Sequence, residues 1–209
     1  MLFSLTRLEL IAVFPLMLLL SAGLSAAPEI GAKAPDFIGV DSNGKIRKLA
    51  DFAGKPLILE WTNHQCPYVR KHYQSGNMQR LQRELTEAGA VWISIISSAP
   101  GLQGYVSGDK ANQLTATRGA YADVVILDPS GEIGRAYGAK TTPQMFLIGE
   151  DSVIHYMGAI DDRPSARKSS LKGALNYVRE AWYTFIAGKS VKHAITKPYG
   201  CTVKYASGR

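Results

Sequence analysis

The chain has 209 residues, of which 46% are hydrophobic and 20% are charged, a composition that suits a globular protein with one apolar core. The net charge of +7 comes from basic residues scattered among acidic ones, with no dense basic run, which argues against a nucleic-acid-binding protein. The two cysteines and four histidines form neither a Cys-x-x-Cys motif nor a zinc spacing, so we expect no metal site and no cofactor.

The first 27 residues are typical of a secretory signal peptide. Arg7 lies in a short polar head, residues 10–20 carry no charge, and small residues surround the expected cleavage site. The alternative is a retained membrane anchor, but this apolar stretch contains Pro15 and is shorter than the ~20 residues that a membrane span needs. We therefore expect an exported protein with no stable membrane span after processing, periplasmic in a Gram-negative bacterium and otherwise secreted.

The predicted elements after the leader start with a β-hairpin at Asn43-Gly44 and continue as alternating strands and helices. Short apolar runs predict strands at 57–61, 91–96, 124–127, 144–148 and 153–156. Helical spacing predicts helices at 67–88 with a break at 75–77, at 109–117, at 132–137, and along an apolar stripe from Leu171 to Phe185. This order indicates an α/β protein with a mixed sheet and helices on both faces, a domain at 28–187 and a tail at 188–209.

Cys66 lies where a predicted buried strand gives way to a helix. Pro67 follows it directly, and proline is favoured at the first position of a helix. The free N–H groups and the dipole at a helix N-terminus favour the thiolate, the nucleophilic form of cysteine. Arg70, Lys71 and His72 follow within two turns and are expected to add positive potential. These features predict a reactive thiol.

A second feature lies far along the chain from Cys66. Thr142-Pro143 directly precedes a predicted strand, where a cis peptide bond would bring the backbone against the thiol. The sequence alone leaves the isomer open.

Together these segments resemble the thioredoxin-fold redoxins, most closely the peroxiredoxin-like branch of the alkyl hydroperoxide reductase/thiol-specific antioxidant family. The matching segments are 34–37, 61–69 with its Asn63-His64-x-Cys66-Pro67 motif, 127–132, 136–143, 156–162 and the tail 196–205. The resemblance implies a thioredoxin-like fold with an N-terminal β-hairpin, Cys66 as the attacking thiol and Thr142-Pro143 as a cis-proline loop. The supporting site residues that it suggests are Asn63, His64, Pro67, Arg70, Thr142 and Pro143.

The chain departs from both parent motifs. Val69 occupies the place of the second cysteine of Cys-x-x-Cys, so a mixed disulfide on Cys66 cannot be resolved within the motif. Peroxiredoxins carry a hydroxyl residue three positions before the thiol, whereas Thr62 lies four positions before Cys66. They also usually place an arginine where this chain has Thr142-Pro143. These departures favour thiol–disulfide exchange over peroxide reduction.

Cys201, in the tail, has three possible roles. It could resolve an oxidised Cys66, form a permanent structural disulfide with it, or remain a separate free thiol. Its place among glycine and proline residues suggests a mobile segment and favours the resolving role.

Three further positions keep two readings each. His64 could act as a local base or be an ordinary loop residue, and Arg135 could line the thiol pocket or face solvent. Asp161-Asp162 resembles a metal-binding pair but is simpler as a turn that leads into a helix.

The sequence thus predicts an exported thiol-dependent oxidoreductase. Its partners would be a thiol/disulfide protein or a small peroxide as substrate, and an external thiol as reductant. The alternative is a redox-inactive thioredoxin-fold binding module.

Overall fold

The computed structural model describes residues 27–207, so the predicted leader lies outside the described residues except for Ala27. The strands in this part of the chain are β1 (Ile38–Asp41), β2 (Ile46–Lys48), β3 (Leu57–Trp61), β4 (Val91–Ile96), β5 (Val124–Leu127), β6 (Thr141–Thr142), β7 (Gln144–Ile148), β8 (Ile154–Gly158) and β9 (Cys201–Thr202). The α-helices are α1 (Pro67–Gln74), α2 (Asn77–Glu87), α3 (Gly108–Thr117), α4 (Glu132–Ala136) and α5 (Tyr177–Ile186). Short 3-10 turns cover Leu49–Phe52 and Lys168–Leu171.

Seven strands form one mixed sheet in the order β2-β1-β5-β4-β3-β7-β8, and β6 pairs with β9 in a separate two-stranded sheet. The central strand β3 runs parallel to β4 and antiparallel to β7. All five of its residues are buried, because helices cover both faces of the sheet. β1 and β2 form the hairpin expected at Asn43-Gly44, where Gly44 has the positive φ of 80° that such a turn requires.

Side chains alternate between the two faces along β3, which divides the core into two layers. Leu59 and Trp61 pack on the face that α4 and the turn Leu49–Phe52 cover. Ile58 packs on the other face, together with residues of α1, α2 and α5 and with Cys66. The predicted α/β fold, with a mixed sheet, helices on both faces and an N-terminal hairpin, is confirmed.

The predicted long helix that begins at Leu171 is wrong. A 3-10 turn ends at Leu171, and Gly173 follows with a positive φ of 68°. The α-helix begins only after Asn176, whose side chain caps it by accepting a hydrogen bond from the Arg179 N–H at 2.8 Å. Leu175, predicted within the apolar stripe, is 43% exposed.

The other boundary differences are of one or two residues, including those at the start of α3, at the end of α4 and at both ends of β8, which was predicted at 153–156. Among residues 27–207, none of the helices combines the length and the apolar character that crossing a membrane requires.

Candidate functional site

Cys66 is the N-cap residue of α1 and is completely buried. Its N–H donates to the Asn63 carbonyl at 3.0 Å, which closes the turn between β3 and α1. Pro67 occupies the start of the helix, as predicted. This local geometry places the Cys66 sulfur at the end of α1 where the backbone N–H groups are free.

The Thr142-Pro143 peptide bond is cis, and the backbone just before it faces the thiol. The Cys66 thiol donates a hydrogen bond to the Thr142 carbonyl oxygen at 3.1 Å. The expectation that this loop lies against Cys66 is therefore confirmed as geometry.

The tail brings the second cysteine to the same place. β9 pairs antiparallel with β6, so that Cys201 lies directly opposite Thr142. Gly200 permits this close approach: it has a φ of +136°, and a Cβ atom there would lie 2.0 Å from the Thr142 carbonyl oxygen. Both cysteines are free thiols, with Cys66 buried and Cys201 half-buried. The tail, which the sequence suggested to be mobile, is packed against the cis-proline loop.

The two neighbouring thiols have opposite acidities. Burial raises the pKa of Cys66, but hydrogen bonds from the Cys201 thiol and the Val69 N–H outweigh it, and the pKa lies below its ordinary value. Burial and the neighbouring Cys66 raise the pKa of Cys201 to about 12. Of the two thiols, Cys66 therefore has the lower pKa, and Cys201 is placed to donate a hydrogen bond to it.

The expected contribution of Lys71 and His72 to this potential is wrong. Both side chains are fully buried and turn towards Asp161 rather than lying free beside the thiol. Burial and the neighbouring Lys71 lower the pKa of His72 to about 3, so its imidazole is neutral. Burial also lowers the pKa of Lys71, against the opposing effect of Asp161. Arg70 is exposed.

These residues belong to a polar group that we call the Asp161 cluster: the buried side chains of Lys71, His72 and Asp161, and the half-buried Tyr199. The Lys71 ammonium lies 3.6 Å from Asp161 Oδ2 and donates to the Tyr199 hydroxyl at 3.1 Å. The Tyr199 hydroxyl in turn donates to Asp161 Oδ1. Because Tyr199 precedes Cys201 by two residues, the cluster connects helix α1 to the tail.

A second buried polar group, the Glu60 cluster, lies within the core: Glu60, Tyr73, Gln82, Trp92 and Ser94. The Glu60 carboxylate accepts hydrogen bonds from the other four side chains, at distances of 3.0 to 3.3 Å. The Glu60 cluster thus joins α1 and α2 to the central strands β3 and β4 through hydrogen bonds.

The remaining predicted residues lie around the loop after β3. Asn63 is buried, donates to the Gln103 carbonyl at 3.3 Å and accepts from the Gln65 N–H at 2.9 Å, so it shapes the loop. His64 is half-buried, and burial, aided by nearby Arg118 and Lys110, lowers its pKa. His64 is thus mainly neutral, which is compatible with either of its two readings.

Arg135 does not line the thiol pocket. Its side chain is exposed and lies over the Tyr205 ring, 4.6 Å from the centroid. Among residues 27–207, no group of three His, Cys, Asp or Glu side chains is arranged to hold a metal ion.

Sequence reasoning missed the roles of Asp161, Tyr199 and Gly200. The sequence predicts Asp161 to be part of a turn, and Tyr199 and Gly200 lie only within the tail segment of the family resemblance. The one available signal was that resemblance, since a contact between residues 38 positions apart leaves no periodic pattern.

Comparison with proteins of known sequence agrees with the redox chemistry suggested by this site. A thiol-disulfide oxidoreductase, ResA, from Bacillus thuringiensis is 29% identical over 126 residues, which cover 60% of this chain and 67% of that protein. The model of the AhpC/TSA family matches residues 30–157.

Solved structures show the same fold. A hypothetical protein from Sinorhizobium meliloti has a TM-score of 0.73 and 23% identity, with coverage of 88% of this chain and 98% of that one. The peroxidoxin BcpB from Mycobacterium tuberculosis has a TM-score of 0.54 and 18% identity, with coverage of 78% and 99%. The prediction of a thioredoxin-fold redoxin and of an oxidoreductase enzyme is confirmed. Because its family model covers more than half of the sequence, the chain belongs to the AhpC/TSA family.

Proposed function

We propose that the protein is an exported thiol-disulfide oxidoreductase in which Cys66 is the attacking thiol and Cys201 resolves it. The observation that carries the proposal is the position of Cys201, opposite Thr142 and beside Cys66, with both thiols free. The lowered pKa of Cys66 supports its role as the nucleophile.

In the first step, the Cys66 thiolate attacks one sulfur of a substrate disulfide. A mixed disulfide forms, and the other substrate sulfur leaves as a thiolate that takes up a proton. In the second step, Cys201 loses its proton and attacks the Cys66 sulfur, which forms the Cys66–Cys201 disulfide and releases the second substrate thiol. The substrate gains two electrons, the protein loses two, and an external thiol reductant restores both cysteines.

The pKa of Cys201 helps to set the order of the two chemical steps. Burial is the main reason why the pKa of Cys201 is raised to about 12, and the hydrogen bond and negative charge of the Cys66 thiolate add to the effect. Once Cys66 is bound to substrate, that charge is gone, and the pKa of Cys201 falls. Cys201 therefore becomes a better nucleophile after the first step has occurred.

Peroxide reduction is the second candidate, supported by family membership. Cys66 would attack one peroxide oxygen to give a sulfenic acid and release an alcohol or water, and Cys201 would then displace water. The described site favours disulfide exchange for two reasons. Among residues 27–207, no arginine hydrogen-bonds to the Cys66 sulfur, and Thr62 and His64 line a cavity that Cys66 does not line.

The redox-inactive binding module remains the alternative, and one experiment separates it from the proposed enzyme. Protein starting at residue 28 is treated with oxidised glutathione and analysed by mass spectrometry, and its reduction of insulin disulfides is measured. We expect a Cys66–Cys201 disulfide in the unaltered protein, a trapped glutathione adduct in Cys201→Ser, and no reaction at the site in Cys66→Ser. Absence of both the adduct and insulin reduction would contradict the enzyme.

Export, and the division into a leader, a domain at 28–187 and a tail, are also part of the proposal. The basic head and short apolar run before residue 27 support them. Expression of the full chain in a Gram-negative host, followed by intact-mass analysis of the periplasmic fraction, tests this. Full-length protein retained in the cytoplasm would overturn it.

A further inference from the structure

We propose that Tyr199 is a positioning residue for the second thiol: anchored in the Asp161 cluster, it holds Cys201 against Cys66. The inference deepens the proposed function and rests on it, because a positioning role requires that Cys201 attacks Cys66. Tyr199 does not touch the reacting sulfur atoms and would act only through the backbone that leads to Cys201.

The anchor is fixed from several directions. The Tyr199 hydroxyl donates to Asp161 Oδ1 and accepts from the Lys71 ammonium at 3.1 Å. Lys71 also donates to the Arg163 carbonyl at 3.0 Å, and the Arg163 N–H donates to Asp161 Oδ1 at 2.9 Å. Tyr68 packs edge-on against the Tyr199 ring, with centroids 5.8 Å apart. Hydrogen bonds that involve charged groups are the stronger kind, so this hydroxyl is held firmly.

Helix α1 connects the two thiols, because it carries Cys66 and also residues that hold Tyr199. Lys71 and Tyr68 belong to α1, the helix whose N-terminus carries Cys66. Tyr199 is bound to that helix and is followed after one residue by Cys201. The position of Cys201 relative to Cys66 is therefore set through a short path that runs along α1, across the Tyr199 contacts and back along the tail.

Gly200 keeps the connection between Tyr199 and Cys201 in close contact with the cis-proline loop. Its backbone lies so close to the Thr142 carbonyl that a Cβ atom would be 2.0 Å away, and its φ of +136° suits glycine. The chain thus passes directly from the Tyr199 anchor onto the cis-proline loop, where Cys201 pairs with Thr142.

The chemical consequence concerns the second step alone. The rate and equilibrium of an intramolecular thiol attack depend on how often the two sulfur atoms lie in the reactive geometry. Without the anchor, the tail samples more conformations and the effective concentration of Cys201 at Cys66 falls. Attack of Cys66 on the substrate uses the helix N-terminus and is retained.

The test uses Tyr199→Phe in the mature protein, which removes the hydroxyl and keeps the ring. The effective concentration of the Cys66–Cys201 pair is measured by equilibration with reduced and oxidised glutathione, and each step is timed by rapid acid quenching and mass spectrometry. We expect the effective concentration to fall about tenfold, equivalent to about 1.4 kcal/mol, with a longer-lived adduct on Cys66. The rate of adduct formation should stay unchanged.

The matched control is Tyr183→Phe, which removes the hydroxyl of an exposed α5 tyrosine that donates to Glu84 of α2 at 3.1 Å. It should leave both steps unchanged. Gly200→Ala is a second variant that keeps Tyr199 and displaces the tail at Thr142, and it should slow the second step selectively. It decides the matter if Tyr199→Phe does not fold.

Unchanged resolution in Tyr199→Phe, or an equal loss of both steps, would overturn the positioning role. If the unaltered protein itself forms no Cys66–Cys201 disulfide, the proposed function fails, and the positioning role fails with it. The two failures are therefore distinguishable.

Discussion

The Glu60 and Asp161 clusters both bury a carboxylate beside helix α1, yet they differ in what they connect. Both Glu60 oxygens accept hydrogen bonds, and all partners come from core strands and helices. Asp161 Oδ1 is hydrogen-bonded. Oδ2 has no hydrogen-bond partner among residues 27–207 and lies 3.6 Å from Lys71 and 3.8 Å from His72. One cluster joins core elements to each other, and the other joins the core to the tail.

Burial of a polar group therefore does not by itself indicate its role. The Glu60 cluster is a closed set of hydrogen bonds that specifies how α1 and α2 pack on the sheet. In the Asp161 cluster, Oδ2 lacks a hydrogen bond from the described residues, and a single tail residue, Tyr199, donates to Oδ1. We expect the first to govern global stability and the second to govern the geometry of the thiol pair.

The largest effect is expected for Glu60→Ala. The change leaves the four buried donors of Tyr73, Gln82, Trp92 and Ser94 without their acceptor, which should lower the free energy of unfolding by about 4 kcal/mol. Urea unfolding measures the loss, and Glu60→Gln, which keeps one carbonyl acceptor, should lose less. A loss of less than about 1 kcal/mol would mean that the cluster is not a stability element.

Asp161→Asn should have an intermediate effect. It keeps the shape of the side chain but leaves the buried Lys71 without its counter-charge, at a cost of about 3 kcal/mol in the free energy of unfolding. It should also weaken the Cys66–Cys201 disulfide towards glutathione. The neighbouring, more exposed Asp162 provides the control, since Asp162→Asn should change stability by no more than about 0.5 kcal/mol. Equal losses of stability in the two variants would contradict the special role of the buried Asp161 as the counter-charge of Lys71.

Tyr205→Phe should have a smaller effect and distinguishes the two tail tyrosines. Its hydroxyl donates to the Ala139 carbonyl at 2.7 Å, and removal of one neutral hydrogen bond costs about 1 kcal/mol. Because Tyr205 lies after Cys201 and outside the Asp161 cluster, resolution of the glutathione adduct should proceed at the unaltered rate. Slow resolution in this variant would show that any loosening of the tail suffices.

The acidity of the Cys66 thiol should depend on the neighbouring Cys201. Ultraviolet absorbance of the thiolate should follow ionisation of Cys66 in the reduced protein, and Cys201→Ala should raise its pKa by removing the main hydrogen bond that lowers it. The lowered pKa of Cys66 also makes the stability of the fold depend on pH. A thiol whose pKa is lowered in the fold stabilises the fold above its unfolded pKa, and that contribution is lost as the pH falls through the folded pKa. An unchanged Cys66 pKa in Cys201→Ala would contradict the thiol–thiol hydrogen bond.

Much of the fold is predictable because its signals are local. The strands at Leu57–Trp61 and Val91–Ile96 are continuous apolar runs, and the start of α1 is marked by Pro67. The wrong helix start at Leu171 arose because apolar spacing continued through a segment that Gly173 and the Asn176 cap exclude from the helix.

The site was predictable in its centre and not in its surroundings. Cys66 and the Thr142-Pro143 loop carry recognisable motifs, but the direction of a charged helical side chain depends on what packs over it. Lys71 is buried because Asp161 and Tyr199 arrive from distant parts of the chain. No local pattern records that meeting, so the sequence assigned Lys71 to the surface potential of the thiol.

The separate pairing of β6 with β9 has a further consequence, because it lies outside the seven-stranded sheet. The tail can open by a sub-global fluctuation while β3 and its neighbours remain folded. Amide hydrogens of the reduced tail should then exchange far faster than those of β3, and a Cys66–Cys201 disulfide would close this opening route. The amides of the tail and of β3 would thus differ in their protection from exchange. Only the protection of the tail would depend on whether the two cysteines are oxidised.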